Sequence, residues 1–205
     1  MRIQTKPFAK VAASTAAEIC ARVDLSPEAR AFLLPNLSPQ GYLALLVDAQ
    51  HIGDAVRFLA FALPVREGVW WSCVVAKNTL TEFSDIDKRC LEEASAWVYE
   101  PVEQRRRSCM VVSESANFEG AAAYAALAVF WSGGSMAPEG MPEAPPDPRL
   151  GHIGVGASIL LSITAGDPLR LQQRFEEAIA RGIDIANGGN GNLEGGVAAV
   201  GVPSQ

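Results

Sequence analysis

Apolar residues recur along most of the chain at spacings of about three and four, which is the period of one face of an α-helix. In the segment 51–63 these positions are Ile52, Ala55, Val56, Leu59, Ala60 and Leu63. The segments 85–98 and 168–186 show the same spacing, and charged side chains occupy the opposite face. No segment alternates apolar and polar residues over the length of a strand. The pattern therefore predicts an all-α fold.

Capping residues mark the predicted helix starts. A Ser, Thr or Asp oxygen accepts hydrogen bonds from the free N–H groups of a first turn, and proline fits the first helical position. These signals occur at Thr15–Glu18, Ser26-Pro27, Ser38-Pro39, Ser84–Asp87 and Asp167-Pro168. Pro64 and Pro101 each interrupt a helical pattern and predict a new start. We expect about eight or nine helices, stacked as antiparallel hairpins because their connections are short.

The domain organisation follows from two segments that break the helical pattern. Residues 133–149 are rich in proline and glycine and predict a long irregular loop. Residues 187–205 are rich in glycine and asparagine, which predicts a flexible tail, and Asn187-Gly188 has the composition of a helix C-cap. The sequence thus indicates one compact helical domain over 1–186, with a short α-solenoid as a variant arrangement, followed by a disordered tail.

The net charge of −6 adds information about partners and location. An acidic surface disfavours binding to nucleic acid and to anionic lipid. The longest apolar stretches, Ala121–Trp131 and Ile153–Ile163, are much shorter than the roughly 20 residues that span a bilayer. Residues 1–14 lack the apolar stretch of a secretory leader. We therefore expect a cytoplasmic protein without membrane insertion, whose four cysteines are buried thiols.

No motif in the sequence indicates catalytic residues, metal ligands or a cofactor. The chain has only two histidines and no nucleophile elbow, and its adjacent carboxylates face different directions on a helix. One alternative is an enzyme whose site is assembled from the scattered side chains of His51, Asp54, Glu67 and Ser132. The glycines of segment 151–156 favour close helix packing over nucleotide binding.

The run Arg105-Arg106-Arg107 follows Glu103 in one predicted helix. Arginines in such a run are usually solvated and form ion pairs with acidic residues one turn away, which is the interpretation we favour. The alternative is a basic patch for an acidic partner.

The segment Leu63–Trp71 is the strongest candidate for a binding surface. Two adjacent tryptophans point in different directions on a helix, so one can pack inside while the other anchors a partner. We predict that Arg66, Glu67, Trp70 and Trp71 bind a partner, and that Trp131 with the following loop forms a second surface. The alternative is that both tryptophans of the pair are buried between stacked helices.

Several motifs resemble those of an uncharacterised bacterial helical family whose members often sit beside type VI secretion spike and effector genes. The resemblance extends over residues 20–190 and is carried by segments 36–46, 54–60, 63–71, 128–135 and 182–189. The last three contain LPxREGVWW, FWSGGS and GxDIAxGG, where x is any residue. These motifs characterise the family but do not define an activity.

The resemblance implies an accessory protein of the secretion machine. We expect a non-enzymatic adaptor or chaperone that binds a protein partner, namely a secretion effector, another chaperone or a spike component. Besides the enzyme alternative, a homo-oligomeric structural or regulatory subunit remains open, and an exposed apolar patch around residues 118–131 would favour it.

Overall fold

The computed structural model describes residues 7–193, and in this range the chain forms ten α-helices and one 3₁₀ turn. The helices are α1 (Ala16–Cys20), α2 (Pro27–Arg30), α3 (Pro39–Asp48), α4 (Ile52–Ala62), α5 (Val65–Thr79), α6 (Asp85–Tyr99), α7 (Glu103–Ser115), α8 (Gly120–Phe130), α9 (Leu150–Thr164) and α10 (Leu171–Ala186). The 3₁₀ turn is Pro168–Arg170. No strand occurs between residues 7 and 193, which confirms the predicted all-α fold.

The predicted capping residues begin the helices as expected. Ser26 Oγ accepts from the Ala29 N–H at 3.1 Å, and Ser38 Oγ accepts from the Gly41 N–H at 3.2 Å. The Glu18 carboxylate accepts from the Thr15 N–H at 2.9 Å. This bond belongs to a capping box, and hydrogen bonding from the Thr15 hydroxyl and N–H lowers the pKa of Glu18. At these predicted starts, short polar side chains bond to the free N–H groups of the first turn.

Helices α5, α8 and α9 form the centre of the bundle. Small residues allow α8 and α9 to approach closely, because a Cβ atom added at Gly154 would lie 2.9 Å from the Ala128 Cα. Gly151 and Gly154 thus serve close packing, as the sequence predicted. Helix α9 also contacts α4, α5 and α10. Contacts between helices that are distant in the chain, such as α4 with α9 and α5 with α8, make the fold a compact multi-helix domain, as predicted.

A long irregular segment connects α8 to α9, and its base is bound to Arg106. This arginine is buried, and its guanidinium donates to the Phe130 carbonyl at 2.6 Å and to the Ser135 carbonyl at 2.8 Å. It also lies 4.7 Å from the centre of the Phe130 ring and pairs with Glu103 at 2.6 Å. The chain forms no helix or strand between Phe130 and Leu150. The favoured interpretation of the arginine run was right about an ion pair with Glu103 but wrong about solvation, because Arg106 is buried.

The chain continues past α10 against the helical body. Gly188 has a φ of +96°, and its N–H donates to the Ile185 carbonyl at 2.9 Å, as in a glycine helix cap. The Asp184 carboxylate accepts from the Gly191 N–H at 2.8 Å, and Gly191 is buried. Residues 187–193 are therefore held in place, although the sequence predicted a flexible tail from 187. The remaining part of that predicted tail, 194–205, lies outside the described residues.

All four cysteines are free and buried, as predicted, and burial raises the pKa of Cys90 to about 11.

Between residues 7 and 193 no single helix is long and apolar enough to cross a bilayer. Only the bent pair of Leu150–Thr164 and Pro168–Ala186, which turns by 119°, reaches that length and composition when counted together.

Candidate functional site

Three of the five predicted binding residues line one cleft of about 270 Å³ between α5 and α10. We call it the α5–α10 cleft, and its lining residues are Lys10, Arg66, Glu67, Trp70, Val98, Ile185, Gly188 and Gly189. Residues three and four apart on a helix share a face, which brings Arg66 and Glu67 beside Trp70 on the first turns of α5. Segments that are distant in sequence thus meet at one surface.

Trp70 joins the two sides of the cleft. Its indole Nε1 donates to the Asn190 carbonyl at 2.8 Å, which holds the chain after α10 against α5. One edge of the indole faces Tyr99, with ring centres 5.7 Å apart at 72°. Trp70 is half-buried, whereas Tyr99 at the end of α6 is 73% exposed. The pair therefore presents an aromatic surface that is fixed on one side and open on the other.

Arg66 and Glu67 supply the charged part of the cleft. The Arg66 Nε donates to the Val98 carbonyl at 2.6 Å, while the residue itself is exposed. Glu67 pairs with Lys10 at 3.3 Å, and 24% of its side chain is exposed. The N-terminal segment is fixed nearby, because the Lys10 N–H donates to the Ala186 carbonyl at 2.8 Å. An anchored guanidinium and a paired carboxylate thus border the aromatic surface.

Trp71 does not belong to this surface. Its side chain is 0% exposed, and its Nε1 donates to the Ala178 carbonyl of α10 at 2.8 Å. A Cβ atom added at Gly182 would lie 2.7 Å from the Trp71 ring, so the indole fills the space that this glycine leaves open. Trp71 is a core residue, which corrects its predicted role in partner binding. Adjacent tryptophans point to opposite environments, as the helical period requires.

Trp131 lies apart from the cleft. It is half-buried at the C-terminal end of α8, and it does not line the α5–α10 cleft. The loop that follows exposes Met141 to 62% and is bound at its base, where Ser135 Oγ accepts from the Ala144 N–H at 3.0 Å. Trp131 and this loop therefore remain a separate surface from the residues of α5.

The four side chains of the enzyme alternative have separate structural partners. The Asp54 carboxylate accepts from the Ser26 N–H and Oγ at the start of α2, at 3.0 and 2.8 Å, and lies 3.7 Å from His51. The Ser132 hydroxyl donates to the Val129 carbonyl, whereas Glu67 lies in the cleft. Only His51 and Asp54 are brought together. No three His, Cys, Asp or Glu side chains within residues 7–193 are grouped as a metal site requires.

Sequence reasoning missed most of the residues around Arg66, Glu67 and Trp70. Tyr99 carries an exposed ring that packs against Trp70 beside the cleft, and Lys10 and Gly189 belong to the lining itself. Tyr99 is the last residue of α6 and lies just before Pro101. An aromatic side chain at the end of a helix, after the residues of its apolar face, is the sequence signal that could have indicated this position. Gly189 has a packing role, since an added Cβ atom would overlap the Asp184 carboxylate. No local pattern links these residues to α5.

The fold and the cleft define a compact all-α bundle with an open surface between its fifth and tenth helices. The chain belongs to the family of unknown function DUF6931, whose sequence model matches residues 42–186. That match extends from α3 to the end of α10. No curated protein and no solved structure matches the chain. This match supports the expectation that the chain belongs to an uncharacterised family.

Proposed function

We propose that this protein is a non-enzymatic cytoplasmic adaptor or chaperone that binds a protein partner at the α5–α10 cleft. The observation that carries the proposal is the exposed Tyr99 ring packed on the fixed Trp70 indole. Aromatic side chains that are already held in place lose little conformational entropy on binding, and tryptophan, tyrosine and arginine dominate interface hot spots. The cleft and the adjoining Tyr99 ring present all three types side by side.

The charged border supports a protein partner of mixed polarity. Arg66 uses its Nε for the Val98 carbonyl, so its two terminal nitrogens can still donate to a carboxylate or carbonyl of a partner. Among residues 7–193, Glu67 is paired only with the exposed Lys10, and its other oxygen can accept from a partner. The charged groups fix the orientation of the partner, whereas the Trp70–Tyr99 pair supplies the apolar area that is buried on binding.

The partner class rests on the motif resemblance described above. Members of the resembling family occur beside type VI secretion genes, and a carrier for such a machine must bind its client before loading. We therefore propose a secretion effector, a chaperone or a spike component as the client. An adaptor of this kind needs no cofactor, and its acidic surface disfavours nucleic acid.

The test is affinity purification of the tagged full-length protein from its native cytoplasm, with quantitative mass spectrometry. Tyr99→Ala removes the exposed ring at little cost to the fold. Leu169→Ala is the matched control, because Leu169 is 92% exposed in the 3₁₀ turn that precedes α10. We expect a type VI secretion component to be recovered with the wild type and the control, and reduced by about tenfold with Tyr99→Ala. A preparation without a partner contradicts the proposal.

A homo-oligomeric subunit is the second candidate, and one observation favours it. Phe118 and Leu161 are 41% and 40% exposed on a shallow groove between α8 and α9. A second copy of the chain would cover these side chains. Light scattering distinguishes the candidates, because a dimer that Leu161→Lys dissociates supports the oligomer, whereas a monomer at all concentrations excludes it.

A further inference from the structure

A second concave site lies away from the cleft, between α4, α9 and the turn after α1. We call it the α4–α9 pocket. Its volume is about 330 Å³, which is within the range of small-ligand sites of roughly 300–1,000 Å³. Phe61, Ile153, Ala157 and Leu160 form its apolar wall. Nothing in the proposed adaptor role uses this pocket.

The rim of the pocket is basic, although the chain as a whole has a net charge of −6. Arg22, Arg57 and Arg149 line it together with a single carboxylate, that of Asp24. Arg57 lies 3.5 Å from Asp54, and Arg149 lies 3.1 Å from Asp147, so nearby carboxylates already balance these two charges. Arg22 has no such partner within residues 7–193. Arg22 is thus the guanidinium on this rim that no carboxylate contacts directly, although its charge helps to lower the pKa of Glu18.

The orientation of Arg22 is fixed before any ligand arrives. One of its terminal nitrogens donates to the Phe61 carbonyl at 3.1 Å. His152 stacks on the Phe61 ring at 5.1 Å, and its Nδ1 donates to the Ala60 carbonyl at 2.9 Å. The aromatic wall and the guanidinium are therefore held in one arrangement, which lowers the entropic cost of binding.

Gly156 leaves the floor of the pocket open. A Cβ atom added there would have Ala60 Cβ as its nearest neighbour, at 3.9 Å, so helix packing does not require glycine at this position. This differs from Gly154 and Gly182, where an added Cβ atom would lie within 2.9 Å of neighbouring atoms. A larger side chain at 156 has room only by extending into the pocket.

We propose that the α4–α9 pocket binds a small acid with an apolar body and one carboxylate head. The carboxylate pairs with Arg22 through charge-assisted hydrogen bonds, and the body packs against Phe61, Ile153 and Leu160. The apolar wall favours a ligand with an apolar body, which a bare phosphate lacks. This inference is independent of the adaptor proposal, because the pocket and the α5–α10 cleft have no lining residue in common.

Calorimetric titration of the full-length protein with octanoate tests the proposal. We expect saturable binding of octanoate, about tenfold weaker binding of octan-1-ol, which lacks the charge, and no saturable binding of inorganic phosphate. Equal affinity for octanoate and octan-1-ol, or no saturable binding of octanoate, would overturn it. Tighter binding of an acetylated peptide that ends in leucine carboxylate would instead assign the pocket to the terminus of a protein partner.

Two variants localise the binding. Arg22→Gln should weaken octanoate binding about tenfold, while Arg89→Gln, which removes an exposed arginine of α6, should change it less than about twofold. Gly156→Leu should abolish saturable binding while the helical circular dichroism signal is kept. Unchanged octanoate affinity in Arg22→Gln overturns the proposal, even if Gly156→Leu fails to fold.

Discussion

At the scale of single residues, two helical glycines with different surroundings give a direct test of the packing. An added Cβ atom at Gly182 would lie 2.7 Å from Leu59 and from Trp71, whereas the one at Gly156 has its nearest neighbour at 3.9 Å. We expect Gly182→Ala to lower the free energy of unfolding by about 1–3 kcal/mol because it overpacks the core. Urea unfolding followed by circular dichroism measures this change.

Gly156→Ala is the matched control, since it makes the same chemical change in a helix with free space. Alanine is favoured over glycine in a helix interior, so this variant should be more stable by up to about 1 kcal/mol. Equal effects of the two substitutions would show that Gly182 is not pressed against Trp71.

The tryptophan pair gives a second prediction. Trp71→Ala should lower the free energy of unfolding by about 3–5 kcal/mol, because it leaves a large cavity in the core and removes the indole bond to the Ala178 carbonyl. Trp70→Ala should cost less, since Trp70 is only half-buried. The same urea experiment compares the two variants, and a larger loss for Trp70→Ala would contradict the assignment of Trp71 to the core.

The titration of His152 makes stability depend on pH. Burial lowers the pKa of His152, and the charge of Arg22 adds to this effect, while the hydrogen bond with Ala60 opposes it. As the pH falls, His152 is therefore protonated first in the unfolded chain, near the ordinary histidine pKa of about 6.5. The stability contributed by neutral His152 is present above that pH and is lost as pH falls through the lower folded pKa.

Urea unfolding at about pH 7.5 and pH 5 measures this dependence. We expect the wild type to lose more stability over the interval than His152→Asn, in which an amide replaces the Nδ1 donor but does not titrate. An equal loss in both proteins would mean that His152 contributes nothing to the pH dependence.

At the scale of elements, the buried Arg106 donates hydrogen bonds to the FWSGGS turn that follows α8. Replacing Arg106 with Met leaves the buried Phe130 carbonyl without its donor, which should lower the free energy of unfolding by about 1–3 kcal/mol. Arg105→Met is the control, since Arg105 pairs with the exposed Glu100 and should contribute about 0–1 kcal/mol. Thermal unfolding distinguishes the neighbours, and similar losses would contradict the role of Arg106.

The helices themselves were largely predictable from the sequence, because caps and apolar periodicity act locally. Ser26, Ser38 and Ser84 begin helices as predicted, and the break at Pro64 separates α4 from α5. Arg106 was not predictable in this way. Its partners at Phe130 and Ser135 are distant in sequence, and a run of arginines shows no local sign that its middle member is buried.

At the scale of the whole molecule, the candidate site arises from contacts between distant segments. The helical period indicated that Trp70 and Trp71 face different directions, but only the position of α10 decides which of them is buried. Likewise the sequence suggested Arg66, Glu67 and Trp70, whereas Tyr99, Lys10 and Gly189 join them only through the packing of α6, the N-terminal segment and the chain after α10. Local sequence patterns carry no information about such contacts between distant segments.

The central claim is that a protein partner binds at the α5–α10 cleft, and site-specific photocrosslinking in the native cytoplasm tests it most directly. A photoreactive phenylalanine analogue at position 99 places the probe beside the cleft, next to Trp70, and the same analogue at position 169 is the control. We predict one discrete crosslinked adduct from position 99, with a secretion effector, chaperone or spike component in it, and none from position 169. No adduct from position 99, or the same adduct from both positions, would contradict the claim.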